Sequence, residues 1–258
     1  MKAALFRARG VEEFDAAGNR RPLFDPASVE SGRYLESGGS LYLEHGVSRD
    51  ATLFAGALLK LADLEAYDQE VASDVRGLSI GIPDLYLGAR LPIARRRLAV
   101  ALEPSFSIPL QAVDRRSDEA PSIGSGSASF AIGAAVGHSL PVANGYAQAG
   151  AGYRARAGRA SDEWYGDAEA GLSPWGALRL RVRYDRVDAR RVKSGGAEGS
   201  LASEMGARDA RRIAPTIAFA SRGGSEISLT WRRTLAGKSS LRGSEWELAY
   251  AFLGSQRR

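Results

Sequence analysis

Few side chains in this sequence have the chemistry to run a reaction, and they are scattered. It carries two histidines, His45 and His138, and no cysteine. A hydrolytic site needs a nucleophile, a base and an orienting group within hydrogen-bond reach. Neither histidine stands near a nucleophile motif, so no catalytic residue is expected. The same shortage of nitrogen and sulfur ligands leaves no metal site to expect. Gly124-Ser125-Gly126 precedes no helical pattern, so a phosphate loop is not expected, and no cofactor is. Arginine and carboxylate are plentiful instead. A guanidinium grips a carboxylate through two parallel hydrogen bonds, so arginines at alternate positions could recognise acidic solutes. The clearest such row is Arg179, Arg181 and Arg183, within Leu178-Arg179-Leu180-Arg181-Val182-Arg183-Tyr184-Asp185.

The element that must hold this row is a β-strand. Successive side chains of a strand point to opposite faces, so one face here is Leu, Leu, Val, Tyr and the other is Arg, Arg, Arg, Asp. The pattern recurs about a dozen times. An apolar face repeated this often describes an all-β, single antiparallel transmembrane barrel, with lipid outside and a polar lumen inside. Twelve strands are expected, near 2–9, 36–47, 51–63, 78–92, 97–109, 125–139, 145–157, 164–173, 177–189, 210–222, 225–236 and 244–253. The connections alternate in length. Short ones fall at 48–50, 94–96, 141–144, 174–176 and 223–224. Longer ones fall near 10–35, 64–77, 110–124, 158–163, 190–209 and 237–243. Short periplasmic turns and long outer loops are the usual asymmetry of such barrels. An even strand number puts both termini at the periplasmic end, and the chain reads as a single barrel domain over 1–258.

Strand phase then sorts the charges. Arg90, Arg154, Arg156, Arg179, Arg181, Arg183, Arg212 and Arg232 are expected to line the pore. So are Asp84, Glu103, Asp167 and Glu169, with Glu36, Glu44, Asp185 and Glu247 on the same face. The near balance of sign favours an ion-pair network over a bare arginine track, because an unpaired charge taken from water is costly. Phe54, Tyr86, Trp164, Trp175, Tyr184, Trp231, Trp246 and Tyr250 are available for interfacial aromatic girdles.

Composition bounds the partners. The net charge of +5 is spread along 258 residues, so no nucleic-acid partner is expected. No stretch approaches the ~20 apolar residues of a membrane helix. The segment Met1-Lys2-Ala3-Ala4-Leu5-Phe6-Arg7-Ala8-Arg9 has too short an apolar core for a signal peptide. Export therefore requires in-frame sequence upstream of Met1 that encodes one. The expected partners are outer-membrane lipid, a small-molecule solute and envelope proteins.

Several segments look familiar. Glu44-His45-Gly46-Val47-Ser48-Arg49-Asp50-Ala51-Thr52 resembles a Glu-Tyr-Gly-x-Thr-Asp-x-x-Thr turn. Gly81-Ile82-Pro83-Asp84-Leu85-Tyr86-Leu87-Gly88-Ala89-Arg90 resembles a Gly-x-Gly-Asp-x-x-x-Gly-x-Lys/Arg strand, with Pro104 to Leu110 as the strand after it. Glu13-Phe14-Asp15-Ala16-Ala17-Gly18-Asn19 resembles the first outer loop. Together they resemble bacterial outer-membrane barrels of the phenol meta-pathway or XagA-like group. His45 and Pro83 depart from that pattern. The resemblance implies a barrel and transport of small organic molecules, or a place beside exopolysaccharide export. It brings no catalytic residue.

Overall fold

A computed structural model describes residues 1–15, 17–24, 29–68, 73–95, 97–110, 121, 123–124, 126–158, 160–190, 209–238 and 240–252. Its strands are β1 (Lys2–Phe14), β2 (Arg20–Pro22), β3 (Val29–Ser48), β4 (Ala51–Asp68), β5 (Ser73–Gly81), β6 (Asp84–Arg95) and β7 (Ala99–Pro109). They continue as β8 (Ser129–Leu140), β9 (Gly145–Arg156), β10 (Glu163–Trp175), β11 (Leu178–Ala189), β12 (Asp209–Ala220), β13 (Ser225–Lys238) and β14 (Ser240–Phe252). Neighbours in sequence pair antiparallel, and β14 returns to pair with β1 from Lys2↔Ala251 to Phe14↔Ser240. The sheet is thus a closed barrel whose twelve wall strands include all but β2 and the β5 extension. Lipid offers no hydrogen bonds, so a membrane sheet must close on itself in this way.

β5 and β6 are one wall strand interrupted at Ile82–Pro83. Both pair with β4, β5 across Lys60–Asp68 and β6 across Thr52–Ala57. The expected strand 78–92 is broken there because proline has no N–H to give the ladder. Other strands run further than expected. β1 reaches Phe14, β3 starts at Val29, β4 reaches Asp68 and β5 starts at Ser73, so much of 10–35 and 64–77 is strand. A single residue separates β13 from β14 where 237–243 was expected as a loop. The apolar alternation stops where lipid stops, but the backbone ladder continues into water. Hence Arg33, Asp63, Glu65 and Arg76 occupy strand positions beyond the greasy belt. The loops expected over 110–124 and 190–209 fall largely outside the described residues.

The opposite end is held by tight turns. Gly176 follows β10 with φ 59°, and Gly224 precedes β13 with φ 81°, a left-handed backbone that a glycine enters without strain. At the outer end Asp15 closes the β1–β2 turn. Its carboxylate accepts the backbone N–H groups of Asn19 and Ala17 at 2.8 and 2.9 Å, which holds its pKa below the usual carboxylate range.

The outward face carries large exposed apolar residues on every side, among them Leu5, Leu87, Phe106, Ile132, Leu172, Val182, Ile217, Leu229 and Leu248. Of the expected girdle, Trp164, Trp175, Tyr184, Trp246 and Tyr250 are exposed there. Trp231 faces outward as the cross-strand partner of Trp246. Phe54 and Tyr86 do not. Both point into the lumen, where each lies over a glycine of the neighbouring strand. The same arrangement recurs in five direct cross-strand pairs: Phe6↔Gly38, Phe54↔Gly88, Tyr86↔Gly56, Tyr146↔Gly171 and Tyr165↔Gly152. A Cβ on Gly56 would sit 2.1 Å from the Tyr86 ring, and one on Gly171 would sit 2.4 Å from Tyr146. The glycine removes the obstacle and the ring lies flat against the wall, which fixes register.

Gly56→Ala therefore evicts Tyr86 and is expected to destabilise the barrel by about 1–3 kcal/mol, the usual cost of overpacking. Tyr86→Ala should recover part of that loss in the double variant. A double-mutant cycle from urea titrations in detergent micelles checks it, and strict additivity would refute the coupling.

Candidate functional site

The polar face of the wall builds a charged lumen. Its members come from every quarter of the barrel, because each inward position is set by strand parity alone. They meet in small clusters. Arg90 on β6 bonds Glu103 on β7 at 2.5 Å and reaches across β4 to Glu44 on β3 at 3.0 Å. Tyr42 donates to the same Glu44 and stacks beside Tyr86, with ring centroids 6.2 Å apart. At the outer mouth Arg154 and Arg156 share Glu163, the latter at 2.7 Å, and Arg154 lies 5.2 Å over the Tyr165 ring. Both arginines also act electrostatically on Asp84, which stands across from them on β6.

Towards the periplasmic end Arg179 and Arg181 reach across β12 to opposite oxygens of Glu226, at 2.8 and 2.6 Å. Two residues further on, Arg183 bonds Asp185 at 2.7 Å and lies 3.7 Å from Asp167. Tyr146 donates to Glu169. On the closing side Arg232 pairs with Glu245 and approaches Glu247 at 3.9 Å, and Lys2 bonds Glu247 at 2.7 Å. Lys60 bonds Glu36 at 2.6 Å. Arg212 stands directly opposite Asp185 in the ladder and within electrostatic reach of Glu36, Glu245 and Arg232. It makes no ion pair within 4 Å among the described residues.

Of the residues expected to line the pore, Arg90, Arg154, Arg156, Arg179, Arg181, Arg183, Arg232, Glu103 and Asp167 are tied in pairs or triads. The arginine row is not bare. Sequence phase had Asp167 and Asp185 beside Arg183 but missed Glu226, which holds Arg179 and Arg181. Glu226 shares parity with Ser228, Thr230 and Arg232, so extending the inward phase two residues toward the turn would have found it. Glu163 was missed because β10 begins one residue earlier than expected. Lys2, Lys60 and Glu245 are inward by the same parity.

The pairs are wet on one side. The arginine side chains keep much of their surface, 47% for Arg183, 41% for Arg90 and 40% for Arg179. The two shared acids sink deeper, to 11% for Glu226 between Arg179 and Arg181 and 7% for Glu163 between Arg154 and Arg156. Carboxylates are thus pinned at the wall while guanidinium faces stay open to the axis. At the outer mouth, Leu23, Tyr34, Ala62, Leu64 and Ile123 form a small apolar cluster that Phe24 and Leu241 complete. Leu23 and Ile123 come from outer connections folded inward over β3 and β4.

His45 and His138 are exposed and far apart in the wall, on β3 and β8. The His138 ring nitrogen Nδ1 lies 2.6 Å from the carbonyl of Arg97. Among the described residues no three metal-ligating side chains converge.

Neither a family model nor a curated protein matches the sequence. Solved structures do. An outer-membrane channel of the COG4313 group from Pseudomonas putida F1 superimposes with a TM-score of 0.70 at 12% identity, over 96% of this chain and 93% of that one. The translocator domain of the autotransporter NalP from Neisseria meningitidis gives 0.53 at 10% identity, over 98% and 88%. The NanC porin gives 0.52 at 5% identity, over 97% and 100%. The likeness is one of fold, the outer-membrane β-barrel.

Glu226→Gln is expected to cost about 1.5–3 kcal/mol, the range for a hydrogen bond to a charged group, because it leaves two guanidiniums opposed. Glu226→Gln with Arg181→Leu should regain part of it. Urea midpoints in detergent measure both, and an unchanged midpoint in the single variant would show that the triad is energetically idle.

Proposed function

We propose that this chain is a passive channel of the outer membrane for small organic solutes, acidic ones included, and is not an enzyme. The observation that carries the reading is the half-exposed state of the lumenal arginines. A lumen packed solid would bury Arg90, Arg179 and Arg183, whereas theirs remain open to water on the axis side. The fold supports it, since solved structures of like fold include an outer-membrane channel and a porin. The meta-pathway and XagA-like resemblance of the turn at Glu44–Thr52 points to small organic cargo. Lipid on the outer face is the partner that the greasy belt demands.

Charge balance sets the expected selectivity. Arginines supply donors to a passing carboxylate, while the fixed acids beside them cancel most of the long-range field. Arg179 and Arg181 share one glutamate near the periplasmic mouth, so the local excess there is positive. Weak anion preference follows, rather than a steep one.

Purified chain is expected to show a heat-modifiable gel shift and to conduct in planar bilayers with weak anion selectivity. Arg179→Ala with Arg181→Ala should move the reversal potential toward cations. Absence of conductance from folded, shifted protein would end the channel reading. It would leave instead an accessory barrel within an envelope assembly. Leu23→Ser should raise single-channel conductance by loosening the apolar cluster at the outer mouth.

A further inference from the structure

The outward face carries a second set of arginines that the lumen does not explain. Arg7 and Arg9 on β1, Arg186 on β11, Arg211 on β12 and Arg233 on β13 all point away from the axis and are exposed. Their parity is fixed by their neighbours. Arg7 opposes the exposed Trp246. Arg233, Ser244 and Arg9 lie on one line across β13, β14 and β1. Arg186 and Arg211 are direct cross-strand partners. Like charges directly opposed destabilise a sheet, and arginine on the lipid face costs about 2–4 kcal/mol at the midplane and falls toward zero at the interface.

The height of Arg9 and Arg233 fits the outer interface. Arg9 and Arg233 lie seven and eight residues in from the periplasmic ends of their strands. At ~3.3 Å per residue and ~40° of tilt this is roughly 20 Å up the wall, near the top of a belt roughly 25 Å tall. Leu5, Leu229, Ile217 and Val182 fill the outward positions below.

The patch is also one-sided and under-neutralised. On β7, β8, β9 and β10 no outward position carries lysine or arginine. Within the patch, Arg186 bonds Asp188 at 2.6 Å and Glu12 pairs with the outward Arg242. Asp209 accepts the Ala189 N–H at 2.8 Å and opposes Lys238. Arg7, Arg9, Arg211 and Arg233 have no hydrogen-bond or ion-pair partner among the described residues. Inside the lumen nearly every arginine has an acid from its own chain. On this face the described residues bring no acid within ion-pair distance of those four arginines.

We infer that the β11–β1 face binds the phosphorylated sugar headgroup of an outer-leaflet glycolipid. Arg9, Arg211 and Arg233 contact its phosphates, and the acyl chains lie on the apolar strip below them. Arg9 and Arg233 stand two strands apart, about 10 Å, a span suited to a disaccharide phosphorylated at both ends. Guanidinium is the side chain that takes phosphate bidentately at an interface. The inference rests on the outer-membrane reading above.

The test is native mass spectrometry of the detergent-solubilised full chain, using doubly phosphorylated lipid A and the same lipid stripped of both phosphates. The phosphorylated form is expected to bind at least about tenfold more tightly, as charge-assisted pairing requires. R9Q/R211Q/R233Q should lose about that factor, and R9K/R211K/R233K should lose a smaller part of it, since an ammonium keeps the charge without the bidentate fork. Equal binding of the two lipids overturns the site, and so does an unchanged glutamine variant or displacement by millimolar inorganic phosphate. If the glutamine variant fails to fold, the two-lipid comparison on the natural chain decides alone. A natural chain that stays soluble without detergent and shows no heat shift overturns the membrane reading itself. A chain that shifts yet ignores the phosphates overturns only the lipid site.

Discussion

The seam between β1 and β14 is the contact on which the rest of this structure depends. A sheet in lipid cannot leave an edge, because unpaired N–H and C=O groups find no partner in hydrocarbon. Closing the seam removes the edge and, in the same act, divides every strand into two faces with different solvents. From that division the sequence pattern follows. Outward positions are apolar over a limited height, and inward positions are free to carry charge. The seam pairing is continuous save for a bulge between Gly10 and Glu12, and the terminal strands meet through the backbone of Met1 and Phe252.

Inside, two devices organise the wall of the cylinder. Cross-strand aromatics lie flat over glycines, which spends ring area on the wall instead of the axis. Ion pairs reach over an intervening strand, as Arg90 does to Glu44 across β4 and Arg179 to Glu226 across β12. Such pairs couple strands that share no backbone hydrogen bonds, so they resist ovalisation of the barrel. In full burial their desolvation would outweigh the attraction. Here one partner stays wet, so the penalty is partial and the pairs can also meet solute.

Much of this was legible in the sequence, and the reasons are local. The period of two in Leu178–Asp185 is preserved because both solvents demand it, and the strand lies there with the expected faces. Polar strand ends were illegible for the converse reason. Beyond lipid, Asp63 and Glu65 satisfy water as well as any loop residue, so nothing in their type reveals that the ladder with β5 continues. Tyr86 misled because an aromatic reads as interfacial. Its inward phase was plain from Asp84 and Arg90, but its purpose lies in Gly56, thirty residues away in sequence, and no local window contains both. The break at Pro83 was visible as a departure, and its effect was not, since proline forbids one hydrogen bond without saying whether the strand resumes.

Arginine occupies both faces of this wall, and the contrast between the two populations is the most discriminating property of the molecule. Arg181 and Arg211 are the same side chain on adjacent strands. Arg181 has a glutamate of its own chain within 2.6 Å, and Arg211 faces another arginine. A fold that so carefully supplies acids inside has the same means outside, and on β3 and β4 it uses them, where Arg33 meets Glu65 at 2.8 Å and Asp63 at 3.4 Å. Among the described residues no acid comes within ion-pair distance of Arg9, Arg211 or Arg233, which is therefore a property of that sector and not of the outer face in general. Electrostatic repulsion there is relieved by whatever anions the membrane surface supplies, and that couples the stability of the β1–β14 seam to the lipid around it. The contact that closes the barrel would then be strongest where phosphate density is highest, at the outer leaflet.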